Sequence, residues 1–189
     1  MTEQRDGPDA ETVARAAAGD RRAVEAVVGE AHPFALRYCR GRIGRGLPGV
    51  TAEDLAQQVC LALLGALPRW TDRGRPFLAL VHRIALNEVS DAFRAAARRP
   101  ETAGLVPDRP SSEPGPEEHA SLRDEVARLR PAFDRLSPAA REVLMLRVAA
   151  GLTAEETAAV VGSSPGAVRT MQHRALAAVR QEVGVVTPA

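Results

Sequence analysis

Four side chains suited to reading a charged polymer sit close together in "SSPGAVRTMQHRALAAVR", residues 163–180: Arg169, Thr170, His173 and Arg174. A helix turns roughly 100° per residue. Stepping from Val168, the apolar residues Met171, Ala175 and Val179 then share one stripe, and the four polar residues fall off it toward water. Arginine presents a planar fork of donors that matches phosphate oxygens and the guanine edge, while Thr and His reach base edges as short donors and acceptors. Ser164 stands at the start of the segment, where a helix offers unpaired N–H groups and the positive end of its dipole to an anion. The chemistry on offer is recognition, not bond making.

Bond-making chemistry finds no comparable anchor. His32, His82 and His119 are scattered and bring no metal-ligand or nucleophile spacing. Glu53 and Asp54 are adjacent and so do not share a helix face as a working carboxylate pair would. "GRIGRGLPG" lacks both the strand context and the Lys of a phosphate loop. Cys39 and Cys60 lie in apolar helical patterns without a C-x-x-C spacing, which predicts buried free thiols. No catalytic residue, metal site or cofactor is expected, and the chain does not read as an enzyme.

These residues need elements to hold them, and the composition points to helices. Aromatic residues make up 3% of the chain against 45% apolar overall, so the core must be built from Ala, Leu and Val. Residues 11–18 read as a short helix, and Asp20 can cap a second, in which Pro33 should bend or interrupt the chain. Thr51 caps a third, "AEDLAQQVCLALLGAL", with Glu53 and Asp54 in its first turn and Pro68 as its stop. A fourth segment begins at Pro76. There Phe77, Val81 and Ile84 keep one stripe while Val89 and Phe93 lie round from it, which predicts a kink near Asn87 with Ser90 as a new cap.

From residue 100 the composition changes. "PETAGLVPDRPSSEPGPEEHA" holds five prolines and too little apolar surface to offset ordering, so it reads as an extended linker. It carries five acids against Arg109; with the whole chain at +1, the flanking parts hold +5. Every basic side chain is Arg, and Lys is absent. After the linker, Ser137-Pro138 opens one helix, Thr153 and Glu156 form a capping box for the next, and Gly162 and Ser164-Pro165 lead into the last. The polar start "MTEQRDGPDAET" has no apolar signal core, no apolar run reaches membrane-spanning length, and a cytoplasmic protein is expected.

"LTAEETAAVVGSSPGAVRTMQHRALAAVR" has the layout of a helix-turn-helix: a short amphipathic helix, a turn containing Gly162, and a longer helix with an Arg-bearing outer face. A solvated bundle helix would also carry such a face, but the two-helix pattern favours the major groove of duplex DNA. The chain as a whole resembles the extracytoplasmic-function class of bacterial sigma-70 factors. "TAEDLAQQVCLALL" resembles that family's polymerase-binding helix, D-x-x-Q-[DE]-x-F, through Asp54 and Gln57, with Gln58 where an acid is usual. "PFLALVHRIALNEVSDAFRAAARR" resembles the promoter-melting segment through Arg83, Ile84, Ala85, Asn87, Asp91 and Arg94. "GAVRTMQHRALAAVR" is similar to the recognition helix that reads the −35 element.

The resemblance implies an all-α protein of two small helical domains, sigma region 2 and sigma region 4, joined by the acidic linker. The limits expected are 1–10 for a frayed start, 11–99 for region 2, 100–120 for the linker and 121–184 for region 4. It implies that Asp54, Gln57, Gln58 and Leu61 contact core RNA polymerase at the coiled coil of its beta-prime subunit. Arg83, Asn87, Asp91, Arg94, Arg98 and Arg99 would meet the −10 element, with Asn87 at a pocket for a flipped base. Ser164, Arg169, Thr170, His173 and Arg174 would read the −35 element, with region 4 seated on the beta-flap. Promoter DNA and the core enzyme are the implied partners, an anti-sigma protein is common in the class, and membrane insertion is not expected. The alternative is a stand-alone helix-turn-helix regulator, whose first half would sense a ligand or dimerise and would show a pocket instead of a polar docking helix.

Overall fold

A computed structural model describes residues 8–43, 47, 49–71, 76–98, 129 and 131–183. The expected linker, most of the loop after Ile43, and Arg99 lie outside these residues. Helix α1 (Ala10–Ala17) is capped by Asp9, whose carboxylate accepts from the Thr12 N–H at 2.7 Å. Helix α2 (Arg21–Ile43) starts on Asp20, which accepts from the Ala23 N–H at 3.0 Å, as expected. α2 is not interrupted at Pro33. Pro33 and Gly29, whose carbonyl loses its i+4 donor, are both exposed, so water can serve that carbonyl.

Helix α3 (Ala52–Ala66) passes into a short tight turn at Leu67–Arg69. Helix α4 (Phe77–Arg98) runs unbroken, which corrects the expected kink near Asn87. The reason is geometric. Phe77, Val81, Ala85 and Val89 are all buried, and each step of four residues rotates the buried stripe by about 40° round the helix. The stripe drifts and the helix need not break; beyond the last buried turn Phe93 is left 43% exposed. Ser90 does not cap a new helix: its hydroxyl donates to the Leu86 carbonyl at 2.6 Å, one turn back.

The second module contains a helical stretch at 131–135, then α5 (Pro138–Leu144), a wider π-helical turn at Met145–Ala149, α6 (Ala154–Val161) and α7 (Pro165–Val183). Ser137 caps α5, and Thr153 and Glu156 close the capping box of α6 as the sequence predicts. Gly162 ends α6 with φ of 71°, a left-handed conformation that favours glycine. Val143, Ala154, Ala158 and Val168 bury one contact between these helices, and Ala140, Leu144 and Ala175 bury a second.

The two modules also pack on each other. Met145, Leu146, Ala150, Leu152 and Val160 of the second belong to the same buried cluster as Phe34, Tyr38, Leu55, Val59 and Val81 of the first.

Candidate nucleic-acid interface

α3 buries Leu55, Ala56, Val59, Cys60 and Leu63 and turns Asp54, Gln57, Gln58 and Leu61 outward. Spacings of three and four put these last residues on one outer stripe. Leu61 is 68% exposed, an apolar side chain framed by polar ones, which is the composition of a small contact patch. Asp54 has a second task that the sequence reading missed. It completes a capping box: the Thr51 N–H donates to Asp54 Oδ2 at 3.1 Å, and the Asp54 N–H donates to Thr51 Oγ1 at 3.0 Å. Hydrogen bonds from Thr51 hold the Asp54 carboxyl below the usual aspartate range. The box was legible, since T-x-x-D differs from the usual T-x-x-E only by one methylene.

On α4, Arg83, Asn87, Asp91, Arg94 and Arg98 are all exposed, at intervals of four, four, three and four. They therefore form one continuous polar stripe opposite the buried one. Arg94 and Asp91 are ion-paired within it. Asn87 lies on the open surface of an unbroken helix, so the kink expected to shape a pocket beside it is not there. What the face offers is a row of guanidinium groups and one amide, suited to a single strand's phosphates and to a base edge.

α7 buries Val168 and Ala175 and half-buries Met171, Leu176 and Val179, which fits the predicted stripe. Arg169, Thr170, His173 and Arg174 are exposed. Ser164 serves the helix first: its hydroxyl accepts from the Ala167 N–H at 3.2 Å. Arg169 is ion-paired with Glu155 across the turn from α6, both side chains remaining more than half exposed, so this pair costs little to open. Thr170 and Arg174 line a shallow groove with Arg135, Leu136, Ala140 and Met171. The angle of α7 is set from behind by Arg147, whose Nε donates to Gln172 Oε1 at 2.8 Å and whose Nη1 donates to the Leu152 carbonyl. Two helices joined at a left-handed glycine, with the second presenting an arginine-bearing outer face, make a helix-turn-helix in place as well as in sequence.

Comparison with known proteins decides the family. The sigma-70 region 2 model matches residues 27–99, and the sigma-70 region 4 model matches residues 127–179. The chain belongs to the sigma-70 family. The extracytoplasmic-function sigma factor SigD of Mycobacterium tuberculosis is 49% identical over 185 residues, covering 97% of this chain and 87% of the relative. ShbA of Streptomyces griseus, of the same class, is 49% identical over 175 residues, covering 89% and 91%. A solved structure of CnrH in complex with the cytosolic domain of CnrY superposes with a TM-score of 0.62 at 27% identity, covering 94% of this chain and 97% of that one. The chain is thus an extracytoplasmic-function sigma factor, a protein that directs transcription initiation by RNA polymerase.

In the sequence His82 shows no metal-ligand or nucleophile spacing and points to no particular partner. In the sigma factor it has one from the other module: His82 Nε2 lies 2.6 Å from Glu142 Oε1. Tyr38 Oη donates to the same oxygen at 2.8 Å, and Arg42 Nη1 stands 3.4 Å from Oε2. The Tyr38 ring meets the His82 ring edge-on at 5.3 Å and stacks beside Phe34 at 6.1 Å. Burial, and then the Glu142 charge, push the Tyr38 phenol above its ordinary range. Burial opposes the charge of Glu142, but hydrogen bonds from His82 and Tyr38, with the charges of His82 and Arg42, outweigh it and hold the carboxyl below the usual range. No sequence signal links His82 to Glu142, because they are sixty residues apart and on different modules. Among the described residues no group of three or more His, Cys, Asp or Glu is placed to hold a metal ion, and no helix is long and apolar enough to cross a membrane.

Proposed function

We propose that this sigma factor works through three outer stripes, each on a helix whose opposite face is buried. Asp54, Gln57, Gln58 and Leu61 on α3 dock on the beta-prime coiled coil of core RNA polymerase. Arg83, Asn87, Asp91, Arg94 and Arg98, continued by Arg99, hold the −10 element and its melted strand. Ser164, Arg169, Thr170, His173 and Arg174 on α7 read the −35 element, with the second module on the beta-flap. The domain limits that go with this reading are 11–99 and 121–184, with 100–120 as the acidic connection. The chain itself makes and breaks no bonds; it is not an enzyme, acts in the cytoplasm, and leaves the chemistry to the polymerase. A regulatory protein partner, of the kind that CnrY is to CnrH, fits the same fold.

The observation that supports the reading is that, within the three family motifs, the proposed contact residues lie on outer stripes and are exposed wherever their side chains are described. A stand-alone regulator has no use for the α3 stripe. Because Asn87 sits on an open helix surface, its part is to hold an extruded base by its amide, not to enclose it. Asn87→Ala should leave polymerase binding and closed-complex formation in place and reduce the permanganate reactivity of thymines in the promoter bubble. Unchanged reactivity would remove Asn87 from the reading.

A further inference from the structure

An acidic side chain stands on the face proposed to read DNA. Glu155 is the second residue of α6, and its Oε1 accepts from Nη2 of Arg169, the first arginine of α7. On a surface that must approach phosphates, a carboxylate works against binding. The start of α6 does not need it as a cap, because Glu156, next in the chain, closes the capping box with Thr153.

Both partners of the pair rest on fixed backbone. The capping box sets the start of α6, Gly162 sets the turn, and the Ser164 cap sets the start of α7. Behind them Arg147 ties the Leu152 carbonyl, just ahead of α6, to Gln172, three residues beyond Arg169 on α7. The Glu155 and Arg169 side chains are 58% and 59% exposed, so the pair faces outward where a duplex can cover it. The backbone N–H of Glu155 at the helix start, and then the charge and hydrogen bond of Arg169 and the charge of Arg147, hold the Glu155 carboxyl below the usual glutamate range.

The donors of the guanidinium decide what such a pair can do. An arginine head carries five N–H donors in one rigid fork. Glu155 takes one of those on Nη2, and a bidentate contact with guanine O6 and N7 takes two others, so both can be made at once. A phosphate oxygen brought to the same fork lies beside the Glu155 carboxylate. Like charges at that range repel, and more strongly once DNA has displaced the water between them. The carboxylate therefore favours a neutral base edge over the backbone as the occupant of the fork. It also fixes a long side chain before binding, which removes part of the ordering cost.

We propose that Glu155 is a positioning residue for promoter selection, holding the Arg169 fork toward a guanine of the −35 element and away from phosphate. This role rests on α7 reading that element; Glu155 itself touches no base and acts through Arg169.

The test exposes holoenzyme, assembled from core RNA polymerase and the full chain, to a pool of duplexes randomised over the promoter region, and sequences the duplexes it retains. The parent should enrich guanine, on one strand or the other, at a position whose preference Arg169→Ala erases. Glu155→Ala should lower the preference at that same position by about fivefold or more, with the other positions, the helicity and the thermal midpoint of the free chain unchanged. Adding Glu155→Ala to Arg169→Ala should cost nothing further at that position. If Glu155→Ala keeps the preference that Arg169→Ala erases, the positioning role is overturned and the −35 reading stands. An even relaxation at every position would overturn the role as well, since a loosened helix gives that result. So would a further loss in the double variant, which marks Glu155 as a base contact in its own right. If Arg169→Ala changes no position, the −35 reading of Arg169 fails and the role of Glu155 falls with it.

Discussion

Leu61 allows the docking surface to be tested without disturbing the fold. It is 68% exposed, with its neighbours on the inner face of α3 fully packed, so Leu61→Ala removes little that the folded chain uses. Surface changes of this kind usually stay within about 0.5 kcal/mol, and Ala is the better helix former. Fully burying a leucine side chain contributes about 1.5–3 kcal/mol. Scaled by the exposed share, docking Leu61 contributes about 1–2 kcal/mol, which is roughly a five- to thirty-fold change in affinity. Competition binding to core polymerase should show that weakening, while the thermal midpoint of the free protein stays where it was. Equal affinity of variant and parent for the core would refute the assignment of α3. A fall in midpoint large enough to explain the weakening would refute the claim that Leu61 is free in the folded chain.

Arg169→Ala should lose about 1–3 kcal/mol of recognition at a cognate −35 element while leaving core binding intact; equal losses on scrambled −35 sequences would show a phosphate contact, not base reading. Thr153→Ala removes the N-cap of α6 and should cost about 1 kcal/mol in denaturant unfolding. The native Glu142 carboxyl is held below its ordinary range, so its contribution to the packing of the two modules is present above the unfolded carboxyl's range and is lost as pH falls through the lowered native value. Acid titration should therefore destabilise the native chain only as the pH falls below the ordinary glutamate range, and Glu142→Gln should remove that component of the pH dependence. Burial pushes the Cys39 thiol up to about 12, so it should resist thiol reagents at pH 8 in the native protein and react once the chain is unfolded.

What the sequence made legible follows from how local each signal is. The capping residues Asp20, Ser137, Thr153 with Glu156, and Ser164 act within three or four residues of themselves, and all of them do so in the structure. The stripe on α7 is likewise a matter of spacing alone. The kink near Asn87 was inferred from two apolar groups that no fixed stripe could join; a drifting stripe, and the release of Phe93 to solvent, serve both groups with a straight run of helix. Pro33 was expected to disturb α2, but its missing N–H falls on the wet side, where the loss is small. The Glu142 cluster could not be read at all. It joins α2, α4 and α5 across the long middle of the chain, and a histidine and a glutamate sixty residues apart look like any other surface pair until the fold brings them together.

The central claim is that this chain gives RNA polymerase its choice of promoter. Run-off transcription with purified core enzyme, on templates carrying a cognate promoter or the same promoter with both elements scrambled, addresses it most directly. The account predicts a transcript of defined length only when the protein is added and only from the cognate template. Core enzyme that yields the same products with and without the protein, across a panel of candidate promoters, would contradict it.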